Sequence, residues 1–151
     1  MKKYFLDTNT LILWLVGSTH PEWLGKRKPV SDLDEEDYTN LNEILSDAKA
    51  FVTLPYVLAE TSNLIGFGKR NTATPALFLQ FRRYVENCQE LKAVSQELVA
   101  RDAMSSHGLT DYAIITLVRN GVVTVTQDFK LFGVLQELGL PVENLRHRRK
   151  L

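Results

Sequence analysis

One cysteine, Cys88, is all this 151-residue chain has, so no intrachain disulfide can form. The usual structural zinc sites ask for more cysteines than that. Three scattered histidines, His20, His107 and His147, do not make up the difference. A reducing compartment fits this composition. Excess charge is lacking too: 18 basic residues balance 18 acidic ones, so there is no global nucleic-acid signature. No apolar run approaches transmembrane length. Lys2-Lys3 followed by apolar residues imitates a secretory signal, but Asp7 interrupts it, Leu11 to Val16 is short, and no small-residue cleavage site follows. The expectation is a cytoplasmic protein with no membrane association. There is no internal repeat, no low-complexity segment and no linker.

What is present is ordinary for one globular domain: 44% hydrophobic and 24% charged residues, enough chain to bury a sizeable core. The charge is uneven. Asp32 to Asp37 is acidic, and the tail Arg146-His147-Arg148-Arg149-Lys150 is basic. Such a tail either contacts phosphates or is a solvated, frayed end.

Short strands are predicted at Tyr4 to Leu6, Phe51 to Thr53, Leu91 to Val94 and Val122 to Thr126, with an edge strand at Pro141 to Leu145. Helices are predicted over Thr8 to Val16 (stopped by Gly17), Glu36 to Ala48, Pro55 to Ile65, Pro75 to Val85, Ser95 to Met104 (capped by Ser95), Asp111 to Asn120 (capped by Thr110, stopped by Gly121) and Asp128 to Leu138 (closed by Gly139). Strands alternating with helices imply an α/β fold with a parallel sheet.

Four carboxylates carry the chemistry. Asp7 ends the first apolar run, and ligands of open α/β sheets bind at that strand edge. Asp128 stands two residues beyond the strand ending at Thr126, so that Thr126 and Asp128 project on one face if the strand continues. Asp7, Asp111 and Asp128 each begin a helix, where capping alone explains an aspartate. Glu60 is different. Tyr56, Val57, Leu64 and Phe67 share its helix face, so a carboxylate stands in an apolar stripe, with Asn63 beside it. Asp111, with Ile114, Ile115 and Val118 on its face, leans inward likewise. Four converging carboxylates would repel, and a divalent cation would relieve that. Oxygen-only ligation suits Mg²⁺ or Mn²⁺, which would assist attack on a phosphate ester.

Phe5-Leu6-Asp7-Thr8-Asn9, Leu58-Ala59-Glu60-Thr61-Ser62-Asn63-Leu64, Leu109-Thr110-Asp111-Tyr112-Ala113-Ile114 and Val125-Thr126-Gln127-Asp128-Phe129 together resemble the PIN domain, in order and over nearly the whole chain. The resemblance implies a three-layer α/β/α fold with a central parallel sheet over residues 1–145, leaving 146–151 as a basic tail. It implies an Mg²⁺- or Mn²⁺-dependent endoribonuclease acting on single-stranded RNA. Asp7, Asp111 and Asp128 would hold the ion, partly through waters. Glu60 would orient or deprotonate the attacking water, with Asn9 and Thr126 in support. The products would be 5′-phosphate and 3′-hydroxyl ends. Lys69, Arg70, Arg82 and Arg83 are candidate phosphate contacts, or else plain solvated charge.

Many small members of this family are toxins of VapC type, which dimerise and are silenced by an antitoxin. Two departures stand out. Ser18 to Glu36 is long and acidic, and Tyr112 follows Asp111 where a smaller residue is commoner, either stacking on a base or packing. A catalytically silent PIN-like binding module is the alternative. A haloacid-dehalogenase-like phosphatase also starts from an Asp at the first strand's exit, but needs a second acid where Asn9 stands.

Overall fold

The apolar run Tyr4-Phe5-Leu6 lies in the middle of the sheet, where both faces are covered and continuous hydrophobicity is expected of a parallel strand. A computed structural model describes residues 2–67, 73–100, 108–119 and 121–150. Their strands are β1 (Lys2–Leu6), β2 (Ala48–Thr53), β3 (Cys88–Glu90), β4 (Val122–Thr126) and β5 (Val142–Asn144). They form a five-stranded sheet of order β3-β2-β1-β4-β5, parallel at every pairing. The helices are α1 (Thr8–Thr19), α2 (Glu35–Ile44), α3 (Pro55–Leu64), α4 (Pro75–Asn87), α5 (Ser95–Val99), α6 (Leu109–Leu117) and α7 (Phe129–Glu137). They flank the sheet in a three-layer α/β/α fold, as expected. None of the described helices is long and apolar enough to cross a membrane.

α1 is apolar nearly all round, which marks a buried helix rather than an amphipathic one. Leu11, Ile12, Leu13 and Leu15 are fully buried between the sheet and α2, α3 and α4. Each such side chain contributes about 1.5–3 kcal/mol. Gly17 does not stop this helix, which continues to Thr19. A Cβ on Gly17 would come within 2.3 Å of the Tyr38 ring, so glycine is there to let α2 approach.

Other boundaries also move. The predicted helix to Ala48 ends at Ile44, passes through a 3-10 turn (Leu45–Asp47), and gives way to β2 because Ala48 and Ala50 pair with Lys2 and Lys3. Leu91 to Val94 is not a strand. β3 is the more polar Cys88–Glu90 just before it, in register with Phe51–Thr53. An edge strand pairs on one side only, so apolar content was a poor guide to it. Ser95 does not cap α5; its hydroxyl instead meets the Tyr56 hydroxyl at 2.8 Å. The predicted stretch from Arg101 to Met104 lies outside the described residues. Gly108, not Thr110, is the N-cap of α6, and the helix ends at Leu117, well before Gly121. Gly121 instead turns the chain into β4 with φ +89°.

The basic tail is not frayed between Arg146 and Lys150. Arg149 donates from Nε to Asp37 Oδ1 and from an Nη to Asp37 Oδ2, each at 2.8 Å, and also to the Asp32 carbonyl at 2.9 Å. The Lys150 N–H donates to Glu36 at 2.8 Å, and Asn40 Nδ2 to the Arg148 carbonyl at 3.2 Å. The acidic segment and the basic tail, far apart in sequence, are therefore two halves of one clasp. Asp37 is buried and also closes a capping box with Asp34 at the start of α2.

Candidate functional site

β1 leads on to β2 and β3 on one side, while β4 and β5 lie on the other, so the strand order reverses between β1 and β4. In open parallel sheets ligands bind outside the carboxyl ends of the strands at such a switch. Asp7 leaves β1 there and Asp128 leaves β4 there.

Both aspartates are N-caps. Asp7 Oδ1 accepts from the Thr10 N–H at 3.1 Å. Asp128 Oδ1 accepts from the N–H groups of Lys130 at 2.8 Å and Leu131 at 3.1 Å. Thr126, fully buried at the end of β4, ties them together. Its hydroxyl donates to Asp7 Oδ2 and accepts from the Asp128 N–H at 3.0 Å. The strand does not continue to Asp128; this threonine turn ends it.

Burial pushes the Asp7 carboxyl above its ordinary value. The bonds from Thr126 and Thr10 pull it back down, and the charge of Asp128 pushes it up again. Asp7 is thus a desolvated carboxylate with a second carboxylate close by.

Above this pair lies a cleft of about 390 Å³, lined by Asn9, Pro29, Asp32, Gln127, Asp128 and Arg146, among others. Asn9, on the first turn of α1, is exposed at its rim. The sequence reading missed Arg146 as a site residue. Its position follows from the pairing of Thr126 with Asn144, which sets Arg146 beside Asp128. A β5 strand assigned next to β4 would have pointed to it. Arg146 lies 3.9 Å from Asp32.

The remaining described candidates are not among the residues that line this cleft. Glu60 is exposed on α3, so its helical stripe does not bury it. Asp111 is half-buried in the first turn of α6. Neither lines the cleft, and nor does Asp7; Asp7 and Asp128 are joined through the Thr126 hydroxyl. Tyr112 is buried and packs in the core. Arg82 and Arg83 are exposed on α4, away from the cleft lining, and Arg82 is paired with Glu86 at 2.7 Å. Lys69 and Arg70 lie outside the described residues.

Among the described residues no three His, Cys, Asp or Glu side chains stand together as a ligand group. Mg²⁺ asks for less. It keeps several waters and is commonly bound through one or two carboxylates and the substrate's own phosphate. Asp7 and Asp128, two mutually repelling oxygen donors beside a cleft, fit that demand. No protein-family model matches this chain, and no curated protein matches it either.

Proposed function

We propose that this chain is an Mg²⁺- or Mn²⁺-dependent endoribonuclease of PIN type that cuts single-stranded RNA. The observation that carries the proposal is the meeting of Asp7 and Asp128 at the sheet's switch point, joined through the Thr126 hydroxyl. Asp7 and Asp128 would hold the ion, and Asp111 is the third ligand the sequence pattern offers. When bound, the ion would supply an activated water and offset charge on the phosphoryl oxygens. The chain's own residues do the rest. Thr126 fixes the orientation of the Asp7 carboxylate and holds the Asp128 backbone, while the Lys130 and Leu131 N–H groups orient the Asp128 carboxylate. Asn9 at the rim and Arg146 in the 3-10 turn after β5 bind and orient the phosphate. Glu60, exposed on α3 and outside the cleft lining, is the residue that the resemblance would have orient or deprotonate the attacking water.

The resemblance extends the proposal to a toxin that works as a homodimer and is silenced by an antitoxin. Growth arrest on induction, relieved by Asp7→Asn, would support that role.

A second reading is a silent PIN-like module that binds RNA or protein. The exposure of Glu60 and the lack of a three-carboxylate group among the described residues favour it. A phosphatase of haloacid-dehalogenase type is disfavoured by Asn9, which has no proton to give as a general acid.

The test is cleavage of single-stranded RNA with Mn²⁺, with EDTA, and by Asp7→Asn. Loss of cleavage in the last two is expected. Equal cleavage by wild type and Asp7→Asn would refute the nuclease, and no cleavage on any substrate would favour the binding module.

A further inference from the structure

A second, larger cavity of about 700 Å³ opens beside the acid cleft. Pro29 and Asp32 line both, so the two adjoin. Its volume suits a ligand of nucleotide size. Its walls differ from those of the acid cleft. Leu64 and Ile65, at the end of α3, supply an apolar side. Trp23, Arg27 and Lys28 supply an aromatic and two cations. The Arg27 guanidinium lies 4.0 Å over the Trp23 ring, held by a cation–π contact rather than by a carboxylate. All three residues belong to the Ser18 to Glu36 segment. That segment is anchored at its far end by the clasp between Asp37 and Arg149.

We propose that this cavity is a subsite for a nucleotide flanking the one whose phosphate lies over Asp7 and Asp128. The proposal rests on the nuclease reading for its substrate. Single-stranded RNA is recognised by apolar and aromatic surfaces that take unstacked bases, and by cations that follow the backbone. The cavity presents both. Arg27 and Lys28 contact the flanking phosphate, and the base lies on the Leu64–Ile65 wall, with Trp23, its faces covered by His20 and Arg27, presenting its edge. Asp32, at the junction, offers a carboxylate to a base amino group and disfavours a phosphate there. The strand's phosphates are thereby directed to either side of that junction.

The test uses the full chain carrying Asp7→Asn, so that RNA stays intact, and a fluorescein-labelled short oligouridine. Binding should quench Trp23 fluorescence, and Trp23→Phe should abolish that quench. Arg27→Ala/Lys28→Ala, two exposed changes, should weaken binding about tenfold. It should also flatten the salt dependence of log Kd by about 0.7, the value for one phosphate neutralised on a single strand.

Arg82→Ala/Arg83→Ala on α4 is the comparison. An equal loss from both pairs would mean diffuse surface attraction and would overturn the subsite. RNA cleavage by the otherwise wild-type chain, without a Trp23 response and without dependence on Arg27 and Lys28, would overturn the subsite and leave the nuclease standing. Binding with quench, but no cleavage by the wild-type chain, would sink the nuclease and keep the subsite. Neither binding nor cleavage would overturn both.

Discussion

Replacing Arg149 by methionine keeps much of the side chain's volume and removes both hydrogen bonds it donates to Asp37. The Asp37 side chain is 1% exposed, so it cannot recover those bonds from water without movement. What remains to it is the capping-box bond from the Asp34 N–H at 3.0 Å. Removing one partner of a buried ion pair costs about 3–5 kcal/mol. The Arg149 side chain is 35% exposed, however, so solvent screens part of the pair. The expected loss is therefore about 2 kcal/mol, which for a chain of this size lowers Tm by about 4–8 °C.

The pH dependence gives the sign. Burial pushes the Asp37 carboxyl up, but the bonds from Arg149 and the Asp34 N–H outweigh it and hold the group below the usual carboxylate value. A depressed folded-state pKa adds stability above the unfolded value, about 3.9, and that stability is lost as pH falls through the folded one. The gap in Tm between wild type and Arg149→Met should be full at pH 7 and shrink as the pH drops below about 4. Thermal melts followed by circular dichroism at both pH values measure it, and a cycle with Asp37→Asn isolates the coupling. A drop under about 1 °C at pH 7, or a gap that does not change with pH, would refute the clasp as a stabilising element.

Asp7→Asn should raise Tm of the metal-free protein at neutral pH, because a carboxyl whose folded pKa is raised contributes stability only below its unfolded value; the gain should vanish as pH falls toward about 4. Thr126→Val removes the hydroxyl that serves both aspartates, at a cost of about 1–3 kcal/mol, and should move the acid limb of any pH–rate profile upward, since that hydroxyl is the main group holding the Asp7 carboxyl down. Gly17→Ala should destabilise by about 1–3 kcal/mol through the clash with Tyr38, and Tyr38→Ala in the same chain should recover part of that in a chemical denaturation series. Glu60→Gln, at an exposed position, should leave stability within about 0.5 kcal/mol; a nuclease that uses it loses turnover all the same, seen as a fall in kcat with Tm unchanged.

The parts of the fold that the sequence showed plainly are those where one force acts alone. β4 runs from Val122 to Thr126 as predicted, because β-branched residues in a buried parallel strand leave no rival conformation. Pro55 and Pro75 open α3 and α4 because proline's fixed φ suits a first turn and nowhere else in a helix. Legibility failed where tertiary contact decides. Gly17 looks like a helix stop and is a point of close approach to Tyr38. The tail looks detached because its partner, Asp37, lies 112 residues earlier. At the site, Asp7 and Asp128 were legible as strand exits. Arg146 was not, because its place depends on which strand β5 joins.

Capping and ligation were opposed as explanations of Asp7 and Asp128, and the geometry removes the opposition. A carboxylate that caps a helix spends one oxygen on the first-turn N–H groups. In Asp128 both cap bonds fall on Oδ1, and in Asp7 Oδ1 takes the cap while Oδ2 takes the Thr126 hydroxyl. Two such caps on distant strands would be unremarked. Here β1 and β4 are neighbours and run the same way, so the N-termini of α1 and α7 stand together over one crevice. The partial positive charge of two helix ends favours anions there. It keeps two carboxylates in place that would otherwise part; burial first, and the Asp128 charge last, raise the Asp7 carboxyl. The sheet topology thus forces two anions together where an RNA phosphate would add a third. A divalent cation is the simplest charge that lets all three remain. On that account the wild-type chain should gain thermal stability on Mn²⁺ addition, while Asp7→Asn should gain little. An equal gain in both would place the ion away from the switch point.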